Sequence, residues 1–84
     1  MPGSEPIHSV IKAANVVKLV GRSVRGLRLA DVAEGLGLKK PATHHLVRTL
    51  IDCGFLKRRG GLLMLGDDLL GLARGEHDTA LRAA

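Results

Sequence analysis

The stretch from Leu29 to Phe55, L-A-D-V-A-E-G-L-G-L-K-K-P-A-T-H-H-L-V-R-T-L-I-D-C-G-F, most narrowly restricts what this chain can fold into. In its first part, apolar residues recur at three- and four-residue spacing, which predicts a short helix with one packed face. Gly37 follows and can adopt the left-handed conformation that ends a helix. Pro41 then suits the first turn of a second helix, since its missing N–H would have no partner there. Two short helices joined by a glycine turn are typical of a helix-turn-helix.

The second predicted helix, residues 41–53, has two different faces. One narrow sector of its helical wheel is apolar and is expected to pack; it contains Ala42, Leu46, Leu50 and Cys53, with Val47 and Ile51 on its flank. The opposite sector is polar and contains Pro41, His44, His45, Arg48 and Asp52. A helix held in this way suits the DNA major groove, which admits one helix and presents hydrogen-bond donors and acceptors on its base edges. The alternative is that the polar sector is only a solvated surface.

The charge of the chain is concentrated in one segment. Thirteen Lys and Arg stand against eight Asp and Glu, a net charge of +5, and residues 39–59 carry all of this excess with six basic residues and one acidic residue. A merely solubilising surface would scatter its charges, so this basic segment indicates a polyanion-binding face. Because the chain has one Phe and no Trp or Tyr, it lacks aromatic platforms for stacking unpaired bases, and duplex DNA is favoured over single strands.

Several other classes of protein are disfavoured. No nucleophile, paired carboxylates or phosphate-binding glycine loop accompany the four histidines, which argues against an enzyme. His44 and His45 point about 100° apart on a helix, so we expect no metal site, and Cys53 is expected to be a small buried residue at a helix end. No apolar run reaches the length of a membrane span and no secretory signal is recognisable, so we expect a cytoplasmic protein without cofactors.

The residues before the helix pair predict a tail and one helix. Residues 1–6 contain two prolines, a glycine and a serine and are expected to form a flexible tail. From Ser9 to Val20, apolar residues cover well over half of a helix circumference. We expect part of this surface to pack under the helix pair and the rest to contact a second chain or a missing domain. The alternative leaves Val16 and Leu19 exposed.

Beyond Gly54 the chain predicts a β-hairpin and a last helix. Two apolar-rich segments, Phe55–Arg58 and Leu62–Leu65, flank a Gly-Gly turn, whose positive φ values suit a tight hairpin. We expect the hairpin to lean on a short strand at Leu27–Leu29, and to form a wing whose basic tip contacts DNA; the tip could instead only guard an edge strand. A helix is predicted from Asp67, with Leu69, Leu70, Leu72 and Ala73 as its apolar face, and residues 76–84 are expected to be a linker helix or tail.

This order of elements, mainly α with a small β-hairpin, resembles the N-terminal domain of the IclR family of bacterial transcription regulators. The matching segments are Ser9–Val20, Leu29–Leu38, Thr43–Arg58 and the pair Leu65-Gly66. Family members look like G-L-P-K-S-T-V-H-R-L-L-x-T-L-x-x-x-G-F-V-x-R, which places His44, Leu46, Thr49, Leu50, Gly54 and Phe55 on matching positions. The resemblance implies a dimeric winged helix-turn-helix in residues 7–75 that binds operator DNA as part of a repressor. Helix 41–53 is then expected in the major groove and the wing, residues 55–65, on the backbone or in the minor groove.

Departures from the family pattern concern the DNA-facing side. Pro41, Ala42 and His45 stand where the pattern has Ser, Thr and Arg, so two hydroxyls and an arginine are replaced and the operator sequence cannot be carried over. The family's effector-sensing domain has no counterpart in the chain. We therefore expect the excised DNA-binding half of a longer regulator, a stand-alone member being the alternative.

The sequence thus predicts ten residues that contact DNA. They are Lys39, Lys40, Pro41, Thr43, His44, His45, Arg48, Lys57, Arg58 and Arg59. The expected partner is an inverted-repeat operator bound by a homodimer that forms through the first and last helices, and a small-molecule effector would act only through the missing domain. The competing hypothesis is a winged-helix module whose basic face docks an acidic protein. Another class of winged-helix regulator would act by the same mechanism.

Overall fold

Four helices and one hairpin make up the part of the chain that the structure describes, residues 5–75 of a computed structural model. The first residues of the predicted tail and the predicted linker at 76–84 lie outside the described residues. The elements follow in the order α1 (His8–Gly21), α2 (Leu29–Leu36), α3 (Lys40–Asp52), β1 (Leu56–Arg59), β2 (Leu62–Leu65) and α4 (Asp67–Ala73). The predicted class, a winged helix-turn-helix that is mainly α with a small hairpin, is confirmed.

The turn between α2 and α3 has the predicted chemistry. Gly37 adopts φ 64° and ψ 31°, the left-handed conformation. The N–H of the next residue, Leu38, donates to the carbonyl of Ala33 at 2.9 Å, a carbonyl in the last turn of α2 that also accepts the N–H of Gly37. Lys39 is extended and precedes the first turn of α3, which contains Pro41. These local signals place α3 directly after α2.

The wing is a two-stranded antiparallel sheet, and one β-bridge connects it to Leu27 in the segment before α2. Its register pairs Leu56 with Leu65 and Arg59 with Leu62, and both glycines of the turn have positive φ, 58° and 80°. Leu27 exchanges two backbone hydrogen bonds with Leu63, of 3.0 and 2.7 Å. Of the predicted third strand only this residue pairs, because Leu29 already begins α2.

One apolar cluster connects α1, α2, α3 and the wing. Val16 of α1 is fully buried, so the alternative that leaves it exposed is wrong. The N-terminal half of α1 remains uncovered, with Val10 61% and Ile11 44% exposed. The buried members of the cluster are Val16, Val20, Val32, Val47, Leu50, Leu56 and Leu63. Both α3 and the wing are therefore anchored in the same core.

The orientation of α3 differs from the prediction. Its buried residues are Thr43, Val47 and Leu50, whereas Ala42 and Cys53 are exposed. The helix is turned by roughly 70° from the predicted packed sector. Burial of a valine removes more apolar area from water than burial of an alanine, so packing favours this rotation. The expectation of a buried Cys53 is wrong for the same reason.

Thr43, predicted to contact DNA, lies in the core instead. Thr43 is fully buried, with 0% of its surface exposed. Its Oγ1 donates a hydrogen bond of 2.9 Å to the carbonyl oxygen of Lys39. A side chain without accessible surface cannot reach a ligand, so the prediction for Thr43 is corrected. The family pattern has Val at this position, and that apolar residue was the signal for a core position.

Two glycines allow the hairpin to start and end against the last turn of α3. Gly54 has φ 79°, and a Cβ added there would collide with the side chain of Asp68. Gly66 donates its N–H to the carbonyl of Phe55 at 2.8 Å, and a Cβ on it would collide with the backbone of Gly54. The junction between α3, the wing and the start of α4 therefore depends on the absence of side chains.

Gly54→Ala is expected to destabilise the protein more than Gly37→Ala does. Both positions have positive φ, which costs a non-glycine residue about 1–2 kcal/mol, but a Cβ at Gly37 would meet nothing within 4 Å. At Gly54 the added Cβ would lie 2.8 Å from the Cβ of Asp68, an atom fixed by the backbone of α4, so we expect a further loss of about 1–3 kcal/mol. Urea denaturation followed by circular dichroism measures both losses, and equal losses would contradict the proposed collision.

Candidate nucleic-acid interface

The outward side of α3 carries the predicted polar residues, all exposed to solvent. They are Pro41, His44, His45, Arg48 and Asp52. The two histidines lean toward different neighbours. His44 lies on the side of the wing together with Arg48, whereas His45 lines a depression shared with Ser9 and Val10 of α1. The side chain of Thr49 is turned back onto α3, because its Oγ1 donates to the carbonyl of His45 at 2.9 Å.

A basic concavity lies between α3 and the wing. Its volume is about 310 Å³, and its lining residues, which we call the α3–wing groove, are His44, Arg48, Ile51, Asp52 and Arg58. Arg58 reaches this groove because it pairs with Leu63 across the hairpin, and directly paired residues share one face of a sheet. Since Leu63 is buried in the core, the face that carries Arg58 is the one turned toward the helices.

The cations of the groove are not engaged within the protein. In the described residues 5–75, the guanidinium groups of Arg48 and Arg58 take part in no hydrogen bond or ion pair, even though Asp52 lines the same groove. A guanidinium group offers five N–H donors in a planar fork that matches phosphate oxygens and the acceptor edge of guanine. The groove can therefore bind an anionic ligand without first breaking an internal contact.

Lys57 differs from the other two cations of the wing. It pairs with Met64, on the opposite face of the hairpin from Arg58. Its Nζ lies 3.2 Å from Oδ1 of Asp67 at the start of α4. The Asp67 side chain is 84% exposed, and surface pairs of this kind contribute only about 0–1 kcal/mol. The pair therefore does little for stability, but it directs Lys57 toward α4 and away from the α3–wing groove.

The structure separates the predicted site residues into groups. Lys39, Lys40 and Pro41 are exposed at the start of α3, and Arg59 is exposed at the wing tip. His44, Arg48 and Arg58 meet in the groove, His45 lies on the α1 side, Lys57 is paired, and Thr43 is buried. Two groove residues, Ile51 and Asp52, were absent from the predicted set. The sequence had already placed Asp52 on the polar sector of this helix, four residues after Arg48, but it was not included among the predicted DNA contacts.

Within residues 5–75, neither a membrane span nor a metal site is supported. No helix there is both long enough and apolar enough to span a bilayer. No three His, Cys, Asp or Glu residues of this range cluster as metal ligands would.

Residues 9–60 match the IclR helix-turn-helix domain. The chain is 38% identical over 68 residues to the glycerol operon regulatory protein of Streptomyces coelicolor, an alignment that covers 79% of this chain and 27% of that protein. It is 35% identical over 74 residues to the protein of the same name from Streptomyces griseus, with 86% and 29% covered. The chain thus spans less than a third of the length of either relative.

Solved structures show the same architecture. An IclR transcriptional regulator from Alicyclobacillus acidocaldarius has a TM-score of 0.77 at 33% identity, covering 84% of this chain and 30% of that one. The Agobacterium tumefaciens repressor BlcR has a TM-score of 0.72 at 27% identity, covering 82% and 28%. An IclR-family regulator from Brucella abortus, with a TM-score of 0.75, 23% identity and 87% and 29% covered, shares the fold. Because the family match spans most of the described residues and the fold agrees with it, the chain belongs to the IclR family of transcription regulators, whose helix-turn-helix domain it contains.

Proposed function

We propose that this chain is the operator-binding domain of an IclR-type transcription regulator. Helix α3 enters the major groove of duplex DNA, and the wing lies on the backbone or in the minor groove. The observation that carries the proposal is the α3–wing groove, which is lined by Arg48 and Arg58, whose guanidinium groups have no partner among residues 5–75. An α-helix with its side chains is about 10–12 Å wide, which matches the roughly 12 Å width of the major groove.

The exposed cations divide into two roles. Arg48 projects from the middle of α3, where a side chain can reach base edges, and we assign base recognition to it together with His44 and His45. Phosphate contacts are assigned to the residues at the ends of the interface, which are Lys39, Lys40, Arg58 and Arg59. Phosphate contacts position a protein on DNA and base contacts specify the sequence. Pro41 is exposed at the start of α3 and, having no N–H donor, can offer only an apolar contact. Lys57 has a minor role because of its pair with Asp67.

Two substitutions test this division. A DNA sequence that the protein binds is first selected from a random pool, and a set of duplexes is made that differ from it by single base pairs. Arg48→Ala is expected to remove about 1–3 kcal/mol of discrimination at one base pair. Arg58→Ala is expected to weaken binding to every duplex alike and to lower the slope of log affinity against log salt by ~0.9. Fluorescence anisotropy at several salt concentrations measures both quantities.

Matched controls come from the same elements. Lys57→Ala is expected to change the salt slope by less than Arg58→Ala, because Lys57 is held by Asp67 on the other face of the hairpin. Thr43→Val keeps the buried volume and is expected to leave base preference unchanged. If the wild-type slope is near zero and the chain binds an acidic protein instead, the competing hypothesis of a protein-docking module replaces the proposal. If Arg48→Ala and Arg58→Ala change the affinities for the set of duplexes in the same way, the division of roles is wrong.

We further propose that DNA binding represses transcription in the cytoplasm, and that any effector acts through a part of the regulator outside this chain. The repressor BlcR, whose structure matches 82% of this chain but only 28% of its own length, supports the first point by similarity. The proposal that any effector acts outside this chain is supported by the short part of the two Streptomyces proteins that the chain covers. A bacterial reporter gene placed behind the selected sequence is expected to lose expression when the chain is produced, and to regain it with Arg48→Ala. Increased expression would indicate an activator.

The proposed working unit is a homodimer formed through α1 and α4. Between these helices lies a second concavity, which we call the apolar groove, with a volume of about 380 Å³. Its lining is apolar except for one lysine at its edge and consists of Val10, Ala13, Ala14, Val17, Lys18, Leu50, Phe55 and Leu69. Close by on α1 and α4, Ile11 and Leu72 are 44% and 53% exposed. A two-fold dimer would cover this surface and place two recognition helices on inverted half-sites.

Ala14→Asp tests the dimer, with Val24→Asp as its control. Ala14 is exposed and lines the apolar groove but not the depression beside His45, whereas Val24 is 94% exposed in the loop after α1 and lies outside that groove. On a duplex with two inverted sites, wild type and Val24→Asp are expected to bind cooperatively as a pair. Ala14→Asp is expected to lose at least about tenfold in affinity for the second site, ~1.4 kcal/mol. Equal and independent binding by wild type to both sites at any spacing would reject the dimer; sedimentation of the free chain reports its own association.

A further inference from the structure

A cationic residue outside the basic segment lies beside the wing tip. Leu27 pairs with Leu63 through two backbone hydrogen bonds, and the next residue, Arg28, is still extended, with φ −77° and ψ 157°. In antiparallel pairing, one step forward on one strand is one step back on its partner, so Arg28 lies opposite Leu62. Leu62 is in turn the partner of Arg59. Arg28, Leu62 and Arg59 therefore occupy one row across the three extended segments.

The side chains of this row lie on the outer face of the wing. Leu27 and Leu63 belong to the face of the wing that is turned toward the helices, which we call the inner face and which also carries Arg58. Successive residues of an extended segment alternate between faces. Gly26 gives an independent check, because a Cβ added there would lie 3.1 Å from Cβ of Leu62 and 3.2 Å from Cγ of Met64. Residues 26 and 28 thus share the face of residues 62 and 64. Arg28 and Arg59 lie on that outer face, across the hairpin from Arg58.

The charged surroundings leave the Arg28 side chain available. Arg28 is exposed, and within the described residues its guanidinium forms no ion pair. The nearby carboxylate is that of Asp31, whose Oδ2 accepts the backbone N–H of Arg28 at 3.1 Å. This carboxylate thus interacts with the start of α2.

We propose that Arg28 and Arg59 jointly bind a backbone phosphate of DNA on the outer face of the wing. Adjacent strands are about 4.8 Å apart, so the Cα atoms of two residues separated by one strand are roughly 10 Å apart, and two arginine side chains span that distance easily. Arginine pairs with phosphate through parallel N–H donors. With Arg58 on the inner face, the wing tip then carries phosphate-binding groups on both faces. This inference rests on the proposed function. It extends the DNA surface to Arg28, which lies outside the basic segment of residues 39–59.

Arg28→Ala, with Arg25→Ala as its matched control, tests the proposal on the selected duplex. Both arginines are exposed in the same loop, but Gly26 and Leu27 separate Arg25 from the row at the wing tip. Arg28→Ala is expected to weaken all duplexes alike and to lower the salt slope by ~0.9, as Arg59→Ala does. Arg28→Lys is expected to keep the slope, and Arg25→Ala to behave as wild type. Thermal denaturation of each variant checks that α2, which begins at Leu29, is intact.

Single methylphosphonate substitutions, which neutralise one phosphate at a time, locate the contact. At one position the neutral group is expected to weaken wild type and Arg25→Ala, and to have a much smaller effect on both Arg28→Ala and Arg59→Ala. An unchanged salt slope for Arg28→Ala, or an equal loss for Arg25→Ala, overturns the inference while leaving the proposed function in place. Absence of salt-dependent duplex binding by the wild-type chain overturns both.

Discussion

Burial of the inner side of α3 is the constraint on which the rest of this structure depends. Val47 and Leu50 lie in the same cluster as Val16 of α1 and Leu63 of the wing. Because a helix is rigid, this packing fixes its rotation, and the rotation decides which side chains face solvent. The same cluster holds the hairpin, so the distance between Arg48 and Arg58 is determined by apolar contacts and not by their charges. A core of aliphatic residues thereby positions two cations that would repel each other.

The backbone connections set how closely these parts approach. Gly54 and Gly66 let the hairpin begin and end against α3 and α4 without side chains between them. The bridge from Leu27 to Leu63 then joins β2 of the hairpin to the segment that leads into α2. As a result, the residues before α2 lie in one row with the tip of the wing. This row contains Arg28 and Arg59, with Leu62 of β2 between them, although the two arginines are distant in sequence.

The molecule carries two surfaces of different chemistry. The α3–wing groove carries two arginines and a histidine, and it suits an anionic ligand whose binding weakens as salt rises. The apolar groove beside α1 and α4 suits association with another apolar surface, and α4 is also the last element before residues 76–84. Ala14 lines the apolar groove and Arg48 lines the α3–wing groove, so substitutions at these two residues change the two surfaces separately.

The sequence by itself determined the order of the elements, the two turns at Gly37 and at Gly60-Gly61, and the polar sector of α3. These are local properties, since a positive φ, a proline in the first helical turn and a charged face depend on neighbouring residues in the chain. Tertiary structure alone decided the exposure of Cys53, which face of the hairpin is turned toward the helices, and the place of Arg28. Each of these depends on how a helix is rotated against its neighbours or on the register between strands. Such contacts join residues that are far apart in sequence, and their relative area and geometry are not encoded in any single segment.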